Sequence, residues 1–360
     1  MKLIPAALAT LLLLQGALAA QQPLPRKTRT RAEVEDLIKR QGATAPDWFK
    51  TVKPNYPKTL DLSWPKNPGG AWDQSKNVGQ YIWSVINENP SRWKEGVRFM
   101  HELMTISKDK VVVRRAMYAA ARMYHNLLED YPRAAFWWRK AGEMKEGDEE
   151  ETTLDLADTY WELGCKEMAV ELIDGYGADN TRHGSIIKLW SDLGEFDRAM
   201  KMAEARGGYV GFLCAGDACR AAQKFDEAVA WYEKVVALGA GGQGDEPRIF
   251  NRAQANITAV RLFEALDLRR VRPGTWKADS LGYEAPVEVE VKVAGGRIVS
   301  VKVTAHREKQ FYSSLTDTPR RIVEKQGVKG VDATTGATIT SEAIINATAK
   351  ALNQGMVKQK

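Results

Sequence analysis

Cysteine and histidine are scarce in this chain. Three cysteines, Cys165, Cys214 and Cys219, occur in 360 residues, and the odd count leaves at least one thiol free or paired between chains. Cys214 and Cys219 lie too far apart along one continuous helix for an unstrained bridge, which argues against a disulfide framework. The four histidines, His101, His125, His183 and His306, make no His-x-x-x-His pair, and no Cys-x-x-Cys string occurs, so the common zinc and haem patterns are missing. A Gly-x-Ser-x-Gly nucleophile elbow is missing too. No self-contained substrate-converting centre is visible. Nor does any apolar run reach the ~20 residues that a membrane-crossing helix needs.

What is present begins at the N-terminus. Lys2, an apolar run from Leu3 to Leu14 and the small-x-small triplet Ala17-Leu18-Ala19 read as a secretory signal peptide over residues 1–19, rather than as a buried N-terminal helix. No cysteine follows to carry a lipid anchor. The expected location is therefore extracytoplasmic, such as the periplasm, in solution or at the membrane periphery. Formal net charge is +6, and from Val271 onward 14 Lys+Arg face 9 Asp+Glu, a local +5. That excess can attract anionic ligands through the summed field. It is too diffuse for a nucleic-acid partner, which calls for a clustered basic stripe.

Residues 20–91 read as an extended or irregular segment rich in proline and tryptophan, with little regular structure before Val78. Trp48, Trp64, Trp72, Trp83 and Trp93 are expected to anchor this arm on the helices that follow; an aromatic partner surface is the alternative. Residues 92–270 carry helical periodicity that repeats. Ala157-x-x-Tyr160 with Ala169 and Ile173 aligns with Ile187-x-x-Trp190, Ala199 and Ala203, and with Gly216-x-x-Cys219, Ala228 and Tyr232. Ala121-x-x-Tyr124 with Ala134, Trp138 and Ala141 fits with one extra residue. The pattern resembles a degenerate tetratricopeptide repeat, with a period of about 30 in place of 34. Stacked helix pairs of this type present a concave face that commonly binds a partner. A Gly-x-Gly-x-x-Gly string at Gly239, Gly241 and Gly244 follows a helix rather than a strand, so it reads as a helix terminator and loop, not a nucleotide site.

Near residue 271 the period changes. Val287 to Val293 alternates strictly, Ala294-Gly-Gly-Arg297 supplies a turn, and Ile298 to Val303 alternates again, which predicts a β-hairpin with one buried face. Pro319–Lys325 reads as a short helix and Ser341–Leu352 as a closing one. The expected architecture is thus multidomain: an all-α helical repeat array followed by a small α+β domain over 271–360.

The loop ahead of the closing helix, Asp332-Ala-Thr-Thr335-Gly336-Ala337-Thr338-Ile-Thr340-Ser341, is crowded with hydroxyls. It offers a glycine for close backbone approach and a helix N-terminus whose free N–H groups and dipole favour a phosphate. Plain capping by Thr340 or Ser341 is the bland alternative, but capping does not require the upstream Thr335-Gly-Ala-Thr338.

The stretch from about Gly282 to Leu352 resembles the FMN-binding domain of the C subunit of sodium-translocating NADH:quinone reductase and the G subunit of Rnf complexes. The family signature, Asp-x-x-Ser/Thr-Gly-Ala-Thr-x-Ser/Thr, is met at Asp332, Thr335, Gly336, Ala337, Thr338 and Thr340. Gly282-Tyr283 with Pro286, Arg297-Ile298 and His306-x-Glu308 fit the family context, while Ala333 stands where the family has glycine. The resemblance implies riboflavin 5′-phosphate (FMN) bound through a phosphodiester to Thr338, with Thr340 as second choice. Thr335, Gly336 and Ala337 would line the phosphate and ribityl chain. Asp332 would belong to the motif read by a flavin transferase that installs FMN from FAD. His306 and Glu308 are either flavin contacts or surface residues. Arg320, Arg321, Lys325 and Lys329 either support an anionic reduced flavin or are solvated charges.

The function this implies is exported electron transfer, as an electron-transfer flavoprotein or oxidoreductase component rather than a stand-alone enzyme. The helical array would dock a redox partner protein, membrane-bound or soluble. The alternative is an exported helical-repeat scaffold with a non-covalent or vestigial flavin domain.

Overall fold

The computed structural model describes residues 27–67, 69–144, 149–176, 183–240, 247–309, 313–331, 333 and 337–357. The segment read from the sequence as a signal peptide, Gly241, Gly244, Asp332, Thr335 and Gly336 lie outside the described residues.

Chain order is α1 (Arg31–Leu37), α2 (Val78–Tyr81), α3 (Trp93–Ile106), α4 (Lys110–Asn126), α5 (Tyr131–Gly142), α6 (Glu149–Glu162) and α7 (Lys166–Ile173). Then come α8 (His183–Asp192), α9 (Phe196–Arg206), α10 (Gly208–Ala221), α11 (Phe225–Ala240) and α12 (Pro247–Phe263). The strands β1 (Gly274–Leu281), β2 (Pro286–Ala294) and β3 (Arg297–Ala305) follow, and α13 (Ser314–Lys325) and α14 (Thr338–Gly355) close the described chain. The protein is mostly helical, with a three-stranded antiparallel sheet in order β1-β2-β3 toward its C-terminus.

Each aligned sequence unit is one helix pair. The units fall on α4–α5, α6–α7, α8–α9 and α10–α11, and within each pair the two helices pack together. All four pairs turn through a left-handed residue: Glu129, Gly164, Gly194 and Gln223. In three of them the next amide returns to the carbonyl of the motif's second position, five residues back. These bonds are Cys165 N to Tyr160 O, Glu195 N to Trp190 O and Lys224 N to Cys219 O, each 2.9 Å. This is the Schellman closure, which satisfies a carbonyl that the helix end would otherwise orphan. In α4–α5 the bond runs from Asp130 N to Tyr124 O at 2.8 Å, one residue longer, as the sequence alignment required. Gly164 is doubly constrained, because a Cβ there would sit 1.8 Å from Lys27 O. Arg29 reaches the same turn, its N–H donating to Gly164 O at 2.9 Å and its guanidinium to Leu163 O at 2.8 Å.

That strap leads into α1, a helix in the segment where the sequence predicted little regular structure. Thr30 and Glu33 close a capping box, with Thr30 N donating to Glu33 Oε2 at 2.7 Å and Glu33 N to Thr30 Oγ1 at 3.3 Å. The signature S/T-x-x-E at residues 30–33 was legible, and it supplies the start signal that composition hid. Of the five expected anchors, Trp48, Trp64 and Trp93 pack on the α3–α5 core. Trp72 and Trp83 do not: they are 60% and 44% exposed and meet edge-to-face, with ring centroids 6.4 Å apart.

In the sheet, Val287, Val289, Val291 and Val293 of β2 are all buried while the residues between them face away, the alternation of a half-covered strand. Gly295 and Gly296, both with positive φ, form the tight turn into β3. Helix α14 covers β1 and β2, and α13 covers β3. Helix α13 starts at Ser314 rather than Pro319, because Ser313 O already accepts from Thr316 N and Asp317 N at 3.0 and 2.7 Å.

The change of period near residue 271 does not divide the core. Leu213, Phe225, Tyr232, Ile257 and Phe263 of the helical array lie in one buried cluster with Val287, Val291, Ile298, Ile344 and Leu352. At ~1.5–3 kcal/mol for each large apolar side chain removed from water, this shared core is what joins sheet to helices. Ion pairs add a second seam: Arg321 binds Asp317 at 2.6 Å and lies 3.6 Å from Glu162, and Arg320 pairs with Asp317 and approaches Glu129 at 4.0 Å.

Candidate functional site

Helix α14 begins earlier than the Ser341 start predicted from periodicity. Its N-cap is Ala337, which has no side chain able to cap, and the first intrahelical bond is Ser341 N to Ala337 O at 2.9 Å. Neither Thr340 nor Ser341 caps the helix. The Thr340 hydroxyl is buried and donates to Glu308 Oε2, and Ser341 Oγ accepts from Thr318 Oγ1 at 3.2 Å. The N–H groups of the first turn are thus left without a side-chain cap from within the helix, the state in which a helix N-terminus favours an anion.

Glu308 is therefore not a surface residue. It is 4% exposed, its Oε2 accepts from Thr340 and its Oε1 accepts from Tyr283 N at 2.8 Å. Gly282 permits that approach: a Cβ there would lie 2.5 Å from Glu308 Oε1. His306 is exposed.

Thr338 sits differently. It is half-buried and lines a cavity of about 570 Å³ between α14, residues 325–331 with Ala333, and helices α8, α10 and α12 of the array. Thr338, Glu342 and Ile345 recur at helical spacing on the face of α14 that borders this space, and Ala333 lines it as well. Ala337 is buried at the helix start.

The charges around the cavity are largely paired. Arg252 of α12 holds Glu342 bidentately, Nε to Oε2 and Nη2 to Oε1, both at 2.8 Å, and Nη2 also meets Asp217 Oδ2 at 2.6 Å. Asp217 Oδ1 accepts from Tyr232 at 2.8 Å. Asn256 Nδ2 donates to Glu342 at 3.1 Å, and Arg220 bridges Asn256 and Asn346 at 3.1 and 2.9 Å. Burial works to raise the Glu342 carboxyl, but the Arg252 guanidinium outweighs it and holds the group well below the usual range. For Asp217 burial prevails over Arg252, pushing it up to about 6. Burial also pushes the Cys214 thiol on the cavity wall up to about 12, so it stays protonated near neutral pH.

Residues 282–353 match the FMN-binding domain family. The match covers 72 of the 360 residues and runs from the Gly282 turn through β2, β3, α13 and nearly all of α14. Comparison with curated proteins and with solved structures finds no match. The chain is thus a helical protein carrying an FMN-binding domain.

Of the basic residues named near the FMN-binding signature, Arg320 and Arg321 are spent on Asp317, Glu129 and Glu162, and neither lines the cavity. Lys325 does line it and donates to Gly330 O, whereas Lys329 lies over the Phe225 ring, 5.9 Å from its centroid. Sequence reasoning missed Lys188, Asp217 and Arg252, which lie in the array far from the FMN-binding match and come to the cavity through tertiary packing. A signal did exist: Asp217 is a charge inserted between Gly216 and Cys219, two core positions of the repeat. All three cysteines are free thiols, with Cys214 and Cys219 on the single helix α10. Among the described residues no helix is long and apolar enough to cross a membrane, and no cluster of ligating side chains could hold a metal.

Proposed function

We propose that this protein is an exported flavoprotein that carries FMN on Thr338 and passes electrons outside the cytoplasm. The observation that carries the reading is the contrast between two hydroxyls of one motif. Thr338 opens on a cavity of about 570 Å³ at a helix start whose N-cap, Ala337, makes no side-chain cap, while Thr340 is buried and held by Glu308. A cavity of this size falls within the ~300–1,000 Å³ typical of small-molecule sites. The residues fit the group: the first-turn N–H groups of α14 for the phosphate, Thr338 Oγ1 for the ester, apolar side chains such as Leu213 and Val331 for the ring, and Lys325 and Lys188 for its polar edge.

Attachment by a flavin transferase would join Thr338 Oγ1 to the FMN phosphorus as the pyrophosphate of FAD breaks, releasing AMP and the hydroxyl proton. Bound flavin supplies one- and two-electron redox chemistry, and the protein's part is to hold it, orient it and set the field around it. A covalent link suits an exported carrier, since a cofactor lost by dissociation outside the cytoplasm is hard to replace. Lys2, the Leu3–Leu14 run and Ala17-x-Ala19 support export. The helical array is the part proposed to dock a redox partner, and the exposed Trp72–Trp83 pair supports a protein-binding role for the segment that precedes it.

Intact mass of the chain co-produced with a flavin transferase tests the reading. One added FMN on the wild type, lost on Thr338→Ala and kept on Thr340→Val, is the expected result. A wild-type mass equal to the bare polypeptide, with no visible absorption, overturns it.

A further inference from the structure

The cavity beside Thr338 belongs only in part to the FMN-binding match. Its opposite wall is built by α8, α10 and α12, through residues including Lys188, Ser191, Val210, Leu213 and Ile249. We propose that the isoalloxazine ring of an FMN held on Thr338 lies in this cleft against the helical array, so that the array completes the flavin site. The inference rests on the reading that Thr338 carries the flavin.

Direction supports it first. Thr338 shares a helix face with Glu342, and Glu342 is bonded to Arg252 of α12, so a group attached at Thr338 leaves the helix toward the array. Thr340 lies on another face and bonds to Glu308 beside the sheet. Rigidity supports it next. The bidentate Arg252–Glu342 pair and the Arg220, Asn256 and Asn346 hydrogen bonds fasten both walls of the cleft to each other, giving the pre-formed space that small-molecule sites use.

The lining chemistry agrees. A flavin ring has two apolar faces, a polar pyrimidine edge and a reduced form that gains negative charge at that edge. Leu213, Val210 and Ile249 offer aliphatic contact, and Lys188 brings a cation paired with Asp192 from α8. Lys325 brings another from the FMN-binding side. The Cys214 thiol, held protonated, is an inert neutral surface.

Fluorescence of the full-length, flavin-bearing protein reads this out. Sites of this class bury about 70–90% of a ligand's surface, so iodide should quench the attached flavin about three- to tenfold less well in folded than in urea-unfolded chain. Lys188→Gln removes one of the array's cations at the cleft, beside Arg220 and Arg252, and should shift the flavin midpoint potential negative. Ser191→Leu fills the α8 wall and should shift the visible spectrum and raise iodide access. Arg198→Gln on α9, which does not line the cleft, should change none of these. If Ser191→Leu fails to give a wild-type circular dichroism spectrum, Lys188→Gln at its half-buried position decides the matter alone.

Flavin on the chain that is quenched equally in folded and unfolded protein, with potential and spectrum indifferent to both array variants, overturns this inference and leaves the functional reading standing. Absence of any flavin sinks both.

Discussion

Arg252 in the helical array grips Glu342 in the closing helix through two hydrogen bonds of 2.8 Å, and the same guanidinium reaches Asp217 at 2.6 Å. One cation thus holds two carboxylates, Glu342 buried and Asp217 partly buried, across the seam between array and FMN-binding match. Arg252→Met takes the cation from both and leaves them only the Tyr232 and Asn256 hydrogen bonds, and breaking a buried pair this way costs about 3–5 kcal/mol. Urea unfolding should show that loss. Adding Glu342→Met should recover part of it, because the second change removes one stranded charge.

Thr340→Val separates stability from flavin content. Glu308 Oε2 loses the hydroxyl that donates to it, and a lost hydrogen bond to a charged group costs about 1.5–3 kcal/mol. The melting temperature should fall while the flavin mass stays. Loss of flavin with unchanged stability would move the attachment point from Thr338 to Thr340.

Gly216 holds a small-residue position of the repeat because no side chain fits there. A Cβ would lie 2.5 Å from the Tyr232 ring, whose hydroxyl in turn donates to Asp217. Gly216→Ala should destabilise by about 1–3 kcal/mol through overpacking, and a denaturant midpoint equal to wild type would refute the clash. Gly184→Ala, whose Cβ meets nothing closer than Cys214 Sγ at 3.9 Å, is the matched control.

Stability should also depend on alkaline pH through His125. Burial works to lower this imidazole's pKa, but Asp158, 3.0 Å from Nε2, outweighs it and pushes the group up to about 9. Because the folded pKa lies above the unfolded value of ~6.5, the charged pair's contribution is complete below about 6.5 and is lost as pH rises through about 9. Melting temperature should decline over that window, and His125→Gln should flatten the decline. An identical slope in the variant would assign the pH dependence elsewhere.

Local signals were the legible ones. Ala157, Tyr160, Ala169 and Ile173 mark a helix pair because each contact is made within one supersecondary unit, and the extra residue before Asp130 was visible as a change of spacing. The β2–β3 hairpin followed from strict alternation around Gly295-Gly296. Strand β1 was not foreseen, since Gly274–Leu281 alternates weakly and becomes a strand by pairing with β2, Gly274 opposite Val293 through Leu281 opposite Pro286. Glu308 was read as surface or flavin contact, because nothing local says that its carboxylate is swallowed between Tyr283 N and Thr340.

By itself, then, the sequence determined the helical pairs, the hairpin and the threonine-rich motif within the FMN-binding match, each written in spacings that a short stretch of chain carries with it. Tertiary structure decided which threonine faces open space, that Asp217, Arg252 and Glu342 meet, and that sheet and helices share one core. Those outcomes depend on burial and on which charges a distant segment brings within hydrogen-bonding distance, and neither is encoded in the residues on either side.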